Sequence, residues 1–300
     1  MWQKKPLLKD DDIGMDIENT TVLVTGASGM IGRHLVKGLL DKGYSVIGLA
    51  RRETELRAEI KNYKLYVVDL ANREALERIY AENEITHTIH LAALAHTTGV
   101  EDLSETAYRQ ANVINAQIVF EAAKNANILF ISTVDVYGFT KGVVSGDTEV
   151  HPISIYGKTK AEAEEILNKQ GGKFNIYRLS PVYTEEVKRD IQKRYYLKYP
   201  DWAYIIGKGS EYEVLNIKKA VQVMVDWVAA EPDGMTRVIK DEHRLETAKV
   251  IEQERKEGRA KHVLHFPRWM VLAGYGVLMI TGRNKYTYLL NKAVHPLRSE

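Results

Sequence analysis

The sequence predicts an α/β protein, a doubly wound parallel sheet with a smaller C-terminal substrate-binding lobe, on three observations. From Thr21 to Arg178, short runs of β-branched and apolar residues alternate with stretches of helical periodicity, the pattern of strands covered on both faces by crossover helices. The first unit carries a glycine-rich turn between its strand and its helix. Past Arg178 the alternation stops and gives way to a loop rich in tyrosine and lysine, then helical and charged segments. The expected division is an N-terminal extension over residues 1–20, a nucleotide-binding domain over 21–180 and a smaller lobe over 181–300.

Taken in order, Met1 to Asn19 has two lysines, a Leu7-Leu8 pair and the acidic run Asp10-Asp11-Asp12, without the apolar core of a signal peptide. It reads as an extension over the surface. Thr21-Val22-Leu23-Val24-Thr25 is a buried strand by its run of branched residues. Gly26-Ala27-Ser28-Gly29-Met30-Ile31-Gly32 follows, and Arg33 to Leu40 runs at helical spacing. Strand, glycine turn and helix in that order bring backbone N–H groups and a helix N-terminus against a pyrophosphate, with glycine where a side chain would block the approach. The turn therefore predicts a Rossmann-type dinucleotide site formed by Gly26, Ser28, Gly29, Met30, Ile31 and Gly32.

The second strand, Val46 to Ala50, ends in Arg51-Arg52. An acidic residue there would hold the adenosine ribose and repel a 2′-phosphate, whereas two guanidinium groups suit that phosphate. NADP is expected over NAD, with Glu53 offering the ribose an alternative partner. Leu65 to Leu70 is the third strand; Asp69 and Leu70 stand where the adenine amino group is met, although a strand-end cap explains Asp69 equally. A helix over 72–82, a strand over 87–92, a helix over 104–125 and a strand over 128–132 continue the pattern. Leu91, Ala92 and Ala93 close the fourth strand in small residues, a wall suited to a flat cofactor; His90 reads as a core histidine.

Ser154 to Lys160 opens a helix containing Tyr156-Gly157-Lys158-Thr159-Lys160. The i,i+4 spacing sets Tyr156 and Lys160 on one face. A fixed ammonium favours the phenolate and draws a tyrosine from about 10 toward the neutral range, so the pair can exchange a proton with an alcohol or ketone. The composition permits an enzyme-sized core, at 300 residues, 45% hydrophobic and 27% charged. A net charge of +2 gives no basic face for nucleic acid. Without cysteine there is no disulfide framework and no thiolate metal site, and the nine histidines show no metal-ligand spacing. The apolar run Trp269 to Ile280 falls short of the ~20 residues of a spanning helix. Core packing of the second lobe is expected for it, a membrane-surface role being the alternative; a soluble cytoplasmic protein is expected.

The motifs, in order, resemble the extended short-chain dehydrogenase/reductase family, the NAD(P)-dependent epimerase/dehydratase group that acts mostly on nucleotide sugars. The resemblance runs from Val22 to about Val182. Its carriers are Thr25 to Gly32, His90-Leu91-Ala92-Ala93, Asn112 within Ala111 to Ala116, Ser132 to Gly138, Tyr156 to Lys160, and Arg178 to Tyr183. It implies Tyr156 as acid/base and Lys160 as the group that holds the nicotinamide ribose while lowering the tyrosine's pKa. Thr133 would donate a hydrogen bond to the same substrate oxygen, Asn112 would support the cofactor side, and Pro181 and Val182 would line the nicotinamide pocket. It also implies a homodimer made through the helices around 104–125 and 156–168.

Departures narrow the reaction. The 4,6-dehydratases of the family carry an Asp-Glu pair directly after the threonine; here those positions are Val134 and Asp135. With no proton to deliver from residue 134, dehydration is not expected, and Asp135 reads as a loop carboxylate, a second base being the alternative. Tyr183-Thr184-Glu185 replaces the usual Tyr-Gly-Pro, and Asn216-Ile217-Lys218-Lys219 stands where His-Val-x-Asp is common. The expected function is an NAD(P)-dependent epimerase or keto reductase of a nucleotide sugar. The alternatives are an NADPH-dependent reductase of a non-nucleotide carbonyl and a redox sensor without catalysis, the last disfavoured by an intact Thr133, Tyr156 and Lys160.

Overall fold

The computed structural model describes residues 17–52, 61–95, 104–140, 142–185, 189–197, 201–281 and 285–300; the expected extension before Ile17 lies outside them. The chain runs through strands β1 (Thr21–Thr25), β2 (Ser45–Ala50), β3 (Tyr63–Val67), β4 (His87–His90) and β5 (Asn127–Thr133), with helix α1 (Met30–Asp41) after β1, α2 (Arg73–Glu82) after β3, and α3 (Glu105–Arg109) and α4 (Asn115–Ala122) after β4. After a short β6 (Val143–Val144) come α5 (Ile155–Gln170) and β7 (Phe174–Leu179). The runs form strands because both their faces are covered: β1, β2, β4, β5 and β7 are buried almost throughout.

One departure concerns the helix expected over 104–125. It is built as α3, a π-helical turn at Gln110–Ile114, and α4. A π turn adds one residue to the helical circuit, and such turns gather at functional sites; this one contains Asn112.

The chain continues with β8 (Val182–Tyr183), α6 (Arg189–Gln192), β9 (Trp202–Ile206), β10 (Glu211–Tyr212), β11 (Leu215–Asn216), α7 (Ile217–Val228), β12 (Thr236–Ile239), β13 (Leu245–Glu246), α8 (Thr247–Lys256), β14 (His262–Phe266), α9 (Arg268–Thr281), α10 (Lys285–Val294) and β15 (Arg298–Ser299). The large sheet is parallel throughout and has the order β12-β7-β5-β4-β1-β2-β3. Strand order reverses between β1 and β4, and the crevice outside the carboxyl ends at such a switch point is where ligands bind.

The sheet does not end at residue 180. β12 extends it beside β7, and α7 lies against α1, where a Cβ on Gly38 would come within 2.8 Å of Val221 Cγ1. Leu35, Val36 and Leu39 thus share one core with Ala220, Met224 and Val225. On the opposite face Phe120, Phe130, Leu167 and Ile176 form a second core under α4 and α5, and Leu23, Leu76 and Ile79 a third under α2. The remaining C-terminal elements form a separate small core of Ile191, Tyr195, Ala203, Val214 and Ile251, with β14 parallel to β9 and β15 parallel to β6.

The Trp269 to Ile280 run does not become core. It forms α9, whose partly covered positions, Val271, Tyr275, Leu278 and Met279, recur at helical spacing while Trp269, Met270, Leu272, Val277 and Ile280 stay exposed. The reason is geometric: among the described residues α10 is the helix packed most against α9, and one helix covers one stripe. No helix among the described residues is long and apolar enough to cross a membrane.

Candidate active site

The glycine turn lies at the carboxyl end of β1. Gly26 has φ +69°, and a Cβ there would stand 3.0 Å from Ala92 Cα and N, so the turn rests against the chain leaving β4. At Gly32 a Cβ would fall 2.2 Å from the Gly26 carbonyl oxygen, which is why α1 can seat so tightly on the turn. Gly29 is the N-cap of α1 and supplies no side-chain cap, leaving the first-turn N–H groups for an anion. Ser28 and Gly29 are exposed, Met30 and Ile31 half-buried. A cradle that side chains would fill, ahead of an uncapped helix start, fits a dinucleotide's pyrophosphate.

Arg51 and Arg52 follow β2 and are exposed; Glu53 lies outside the described residues. The third strand ends at Val67 rather than Leu70. Asp69 is exposed and its Oδ1 accepts from the Ala71 N–H at 3.0 Å, the strand-end cap weighed above, while Leu70 is buried in the α2-side core. The fourth strand likewise ends early, at His90. Leu91 and Ala92 are half-buried, Ala93 is exposed, and the Ala92 N–H donates to Thr25 Oγ1 at 3.1 Å. The same hydroxyl lies 2.9 Å from His90 Nδ1. Burial, and secondly the Lys160 ammonium, pull His90 down to about 3, so it is a neutral core imidazole whose Nε2 has no partner among the described residues.

Thr133 ends β5, half-buried, and its Oγ1 accepts from the Asp135 N–H at 3.2 Å, which turns the chain into a short 3₁₀ turn, Val134–Tyr137. Helix α5 begins beside that turn because Ser154 caps it, accepting from the Gly157 N–H at 2.9 Å. Gly157 is required by the approach: a Cβ would stand 2.7 Å from the Asp135 carbonyl oxygen. This contact brings the start of α5, with Tyr156, to the end of β5. Tyr156 is half-buried, and Lys160, one turn on, is 1% exposed with Nζ 3.9 Å from the centroid of the Phe130 ring. Burial lowers Lys160 to about 7 against the opposing pull of Glu164.

Asn112 has a defined task. Its Oδ1 accepts from Leu94 N at 2.7 Å, and its Nδ2 donates to Leu94 O at 3.1 Å and to Thr159 Oγ1 at 3.0 Å. The π turn thereby fastens the loop after β4 to the residue beside Lys160. The resemblance implies support on the cofactor side; the bonds themselves join the loop after β4 to α5. Pro181 accepts from Leu215 N at 3.0 Å, and half-buried Val182 is paired with Leu215 in the β8–β11 ladder.

Sequence reasoning missed two groups. The first is a buried ion pair one turn below Lys160: Glu164 accepts from Ser132 Oγ and from Arg178, whose Nη2 lies 2.7 Å from Oε2. Arg178 Nη1 also donates to Tyr137 Oη at 2.9 Å and to Gly146 O at 3.1 Å, binding β7, α5 and the 3₁₀ turn together. The usable signal was the i,i+4 relation of Glu164 to Lys160 on a face facing the sheet.

The second group surrounds Asp135. Its Oδ2 accepts from Ser154 Oγ at 3.0 Å and its Oδ1 from Tyr288 Oη at 3.0 Å and Lys292 Nζ at 2.5 Å. It is a loop carboxylate, as expected, and it is what ties α10 to the cap of α5. Burial pushes its carboxyl up, but the Lys292 ammonium and the hydrogen bonds from Lys292, Tyr288 and Ser154 together outweigh that and hold it below the usual carboxylate range. A folded-state value below the unfolded ~3.9 gives stability that is present above pH ~4 and lost as pH falls. Lys292→Ala leaves burial less opposed, so the folded value rises and this contribution to stability shrinks. The variant is expected to lose about 1–3 kcal/mol at pH 7, toward the lower end because Lys292 keeps some solvent; urea melts between pH 4 and 8 measure it, and melts identical to the parent's would refute the tether.

A cavity of about 520 Å³ opens past β8. Tyr183, Tyr195, Val214, Lys219 and Asp241 are among its lining residues, and Tyr183 Oη donates to Asp241 at 3.3 Å. Thr133, Tyr156 and Lys160 do not line it. Among the described residues no group of His, Asp or Glu has the arrangement of a metal site.

Comparison with known proteins agrees with this geometry. Residues 22–230 match the model of the NAD dependent epimerase/dehydratase family. UDP-glucose 4-epimerase 2 of Arabidopsis thaliana is 33% identical over 163 residues, 49% of this chain and 46% of its own length. UDP-glucose 4-epimerase of Haemophilus influenzae is 35% identical over 159 residues, covering 49% and 47%. The matches thus span about half the length of these curated relatives. The crystal structure of UDP-glucuronic acid 4-epimerase from Bacillus cereus in complex with NAD superposes with a TM-score of 0.68 at 23% identity, over 83% of this chain and 86% of that one, a likeness of fold. With a glycine cradle, a strand order and a match over most of its length in agreement, the chain belongs to the NAD-dependent epimerase/dehydratase family.

Proposed function

We propose that the chain is an epimerase that inverts a hydroxyl-bearing carbon of a nucleotide sugar, with Tyr156, Lys160 and Thr133 as its reacting-site residues. The observation that supports this reading is the close approach of the α5 start, at Gly157, to the turn after β5, at Asp135, with the buried Lys160 on the same helix as Tyr156. When bound, the nicotinamide supplies the hydride acceptor and donor. Tyr156 takes the proton of the substrate hydroxyl and returns it, Thr133 donates a hydrogen bond to that oxygen, and Lys160 lowers the cost of the phenolate. Dehydration is not proposed. Val134 carries no proton, and the carboxylate of Asp135 is held by Ser154, Tyr288 and Lys292.

Arg51 and Arg52 favour a 2′-phosphate, so NADP(H) is the proposed cofactor, against the NAD bound by the Bacillus cereus neighbour. The cavity past β8 is proposed to take part of the substrate. A homodimer is proposed from the family resemblance alone.

The test combines the purified chain, NADP or NAD, and UDP-hexoses including the UDP-glucose of the relatives' names. NMR of the sugar is expected to show a C4 epimer with no net change in reduced cofactor. Net NADPH oxidation with a keto sugar would identify a reductase instead. Failure to bind either cofactor would refute both readings. The departure at Tyr183-Thr184-Glu185 supports the second reading, a non-nucleotide carbonyl substrate, which becomes preferred if no nucleotide sugar binds the cofactor-loaded protein.

A further inference from the structure

Helix α9 turns the ordinary order of a surface helix inside out. Trp269, Met270, Leu272, Val277 and Ile280 are 71%, 41%, 38%, 61% and 88% exposed, and the other exposed positions between 269 and 280 are alanine or glycine. The one polar side chain in that stretch, Tyr275, points inward: its Oη donates to Asn291 Oδ1 at 3.0 Å and its ring meets His295 at 5.7 Å. A surface helix normally presents its charged face outward. This one presents an unbroken apolar face.

The sequence on either side of it carries charge of one sign. From Gly258 to Ser299 there are seven Lys and Arg residues and no Asp or Glu. Arg259, Lys261, Lys292 and Arg298 are paired with carboxylates elsewhere in the fold. The other three bracket α9: Arg268 is its exposed first residue, and Arg283 and Lys285 follow its last in sequence. We propose that α9 is an interfacial helix that seats the protein on an anionic lipid bilayer, its axis in the plane of the surface. A helix of 14 residues is about 21 Å long, too short to span but suited to lie at the headgroup boundary. Trp269 stands at its end, where an indole spans apolar and wet layers.

A second copy of the chain fits less well. The sequence from 258 to 299 holds no carboxylate, so a second α9 offers no acidic partner within that segment for Arg268, which is exposed. Gly274 and Gly276, where a Cβ would meet nothing within 4 Å, offer a smooth convex surface of the kind lipid accepts.

Flotation of the full chain with vesicles tests this. At about 0.1 M salt it is expected to float with a phosphatidylcholine–phosphatidylglycerol mixture of about 3:1 and not with phosphatidylcholine alone. Trp269→Glu with Ile280→Glu is expected to lower the bound fraction at least about tenfold. Both positions face outward, so thermal unfolding and cofactor binding should match the parent. No flotation, equal flotation on both vesicles, or undiminished flotation of the double variant would overturn the proposal. A lipid-free dimer in the ultracentrifuge that the same two substitutions dissolve would overturn it too, and would identify the occupant as a second copy.

Discussion

Tyr156→Phe is expected to lower turnover by about 10²–10⁴-fold, the range that a positioned acid/base supplies, with cofactor affinity changed no more than a few-fold. The substitution removes one oxygen from a half-buried ring and leaves the surroundings standing. Ser154 still caps α5, Gly157 still admits the 3₁₀ turn, and Asn112 still joins Leu94 to Thr159. Loss of rate without loss of binding would place the phenol on the reacting oxygen. Turnover within tenfold of the parent would remove Tyr156 from that role and leave Thr133 as the group to examine. Loss of cofactor binding together with rate would point to a packing role for the ring.

What was legible in the sequence was local or doubly buried. β1, β2 and β5 announce themselves because strands covered on both faces carry continuous apolar runs. The glycine turn is readable because each glycine answers a backbone requirement within seven residues. The Tyr156–Lys160 spacing is readable because a helix fixes it. Contacts across long separations were not legible. Lys292 reaches Asp135 over 157 residues, and neither residue's neighbours hint at the other. The return of β12 to the large sheet was hidden because Thr236 to Ile239 is only four residues long and lies in a region read as a separate lobe. The π turn was hidden because Gln110 to Ile114 has ordinary helical residues, and what holds it is Asn112 bonding to a loop and to α5. The α9 run was misread for a different reason. Apolar composition says that a segment avoids water, and says nothing of whether protein or something else covers it.

Lys160→Met is expected to do two opposite things, stabilise the cofactor-free protein at neutral pH and lower turnover at least about a hundredfold. Lys160 is 1% exposed and rests over the Phe130 ring, so folding strips its ammonium of water. Burial brings it to about 7 even with Glu164 one turn away, whereas an unfolded lysine titrates near ~10.4. The folded value is the lower one, so between about 7 and ~10.4 the unfolded chain binds the extra proton. Stability therefore rises with pH across that window, and the cost is at its full size below the folded value. A shift of this size corresponds to a cost on the order of a few kcal/mol. Methionine has a similar reach and nothing to desolvate, so its melting temperature at pH 7 should exceed the parent's by several degrees, and the gap should close as pH approaches 10. Melts of both proteins at pH 7 and pH 10 decide it. A variant less stable than the parent at pH 7 would mean that Phe130 and Glu164 more than repay the lost water. A lysine that costs stability where it stands has to be explained by what it does to Tyr156 and to a bound cofactor, and the fall in turnover measures that contribution.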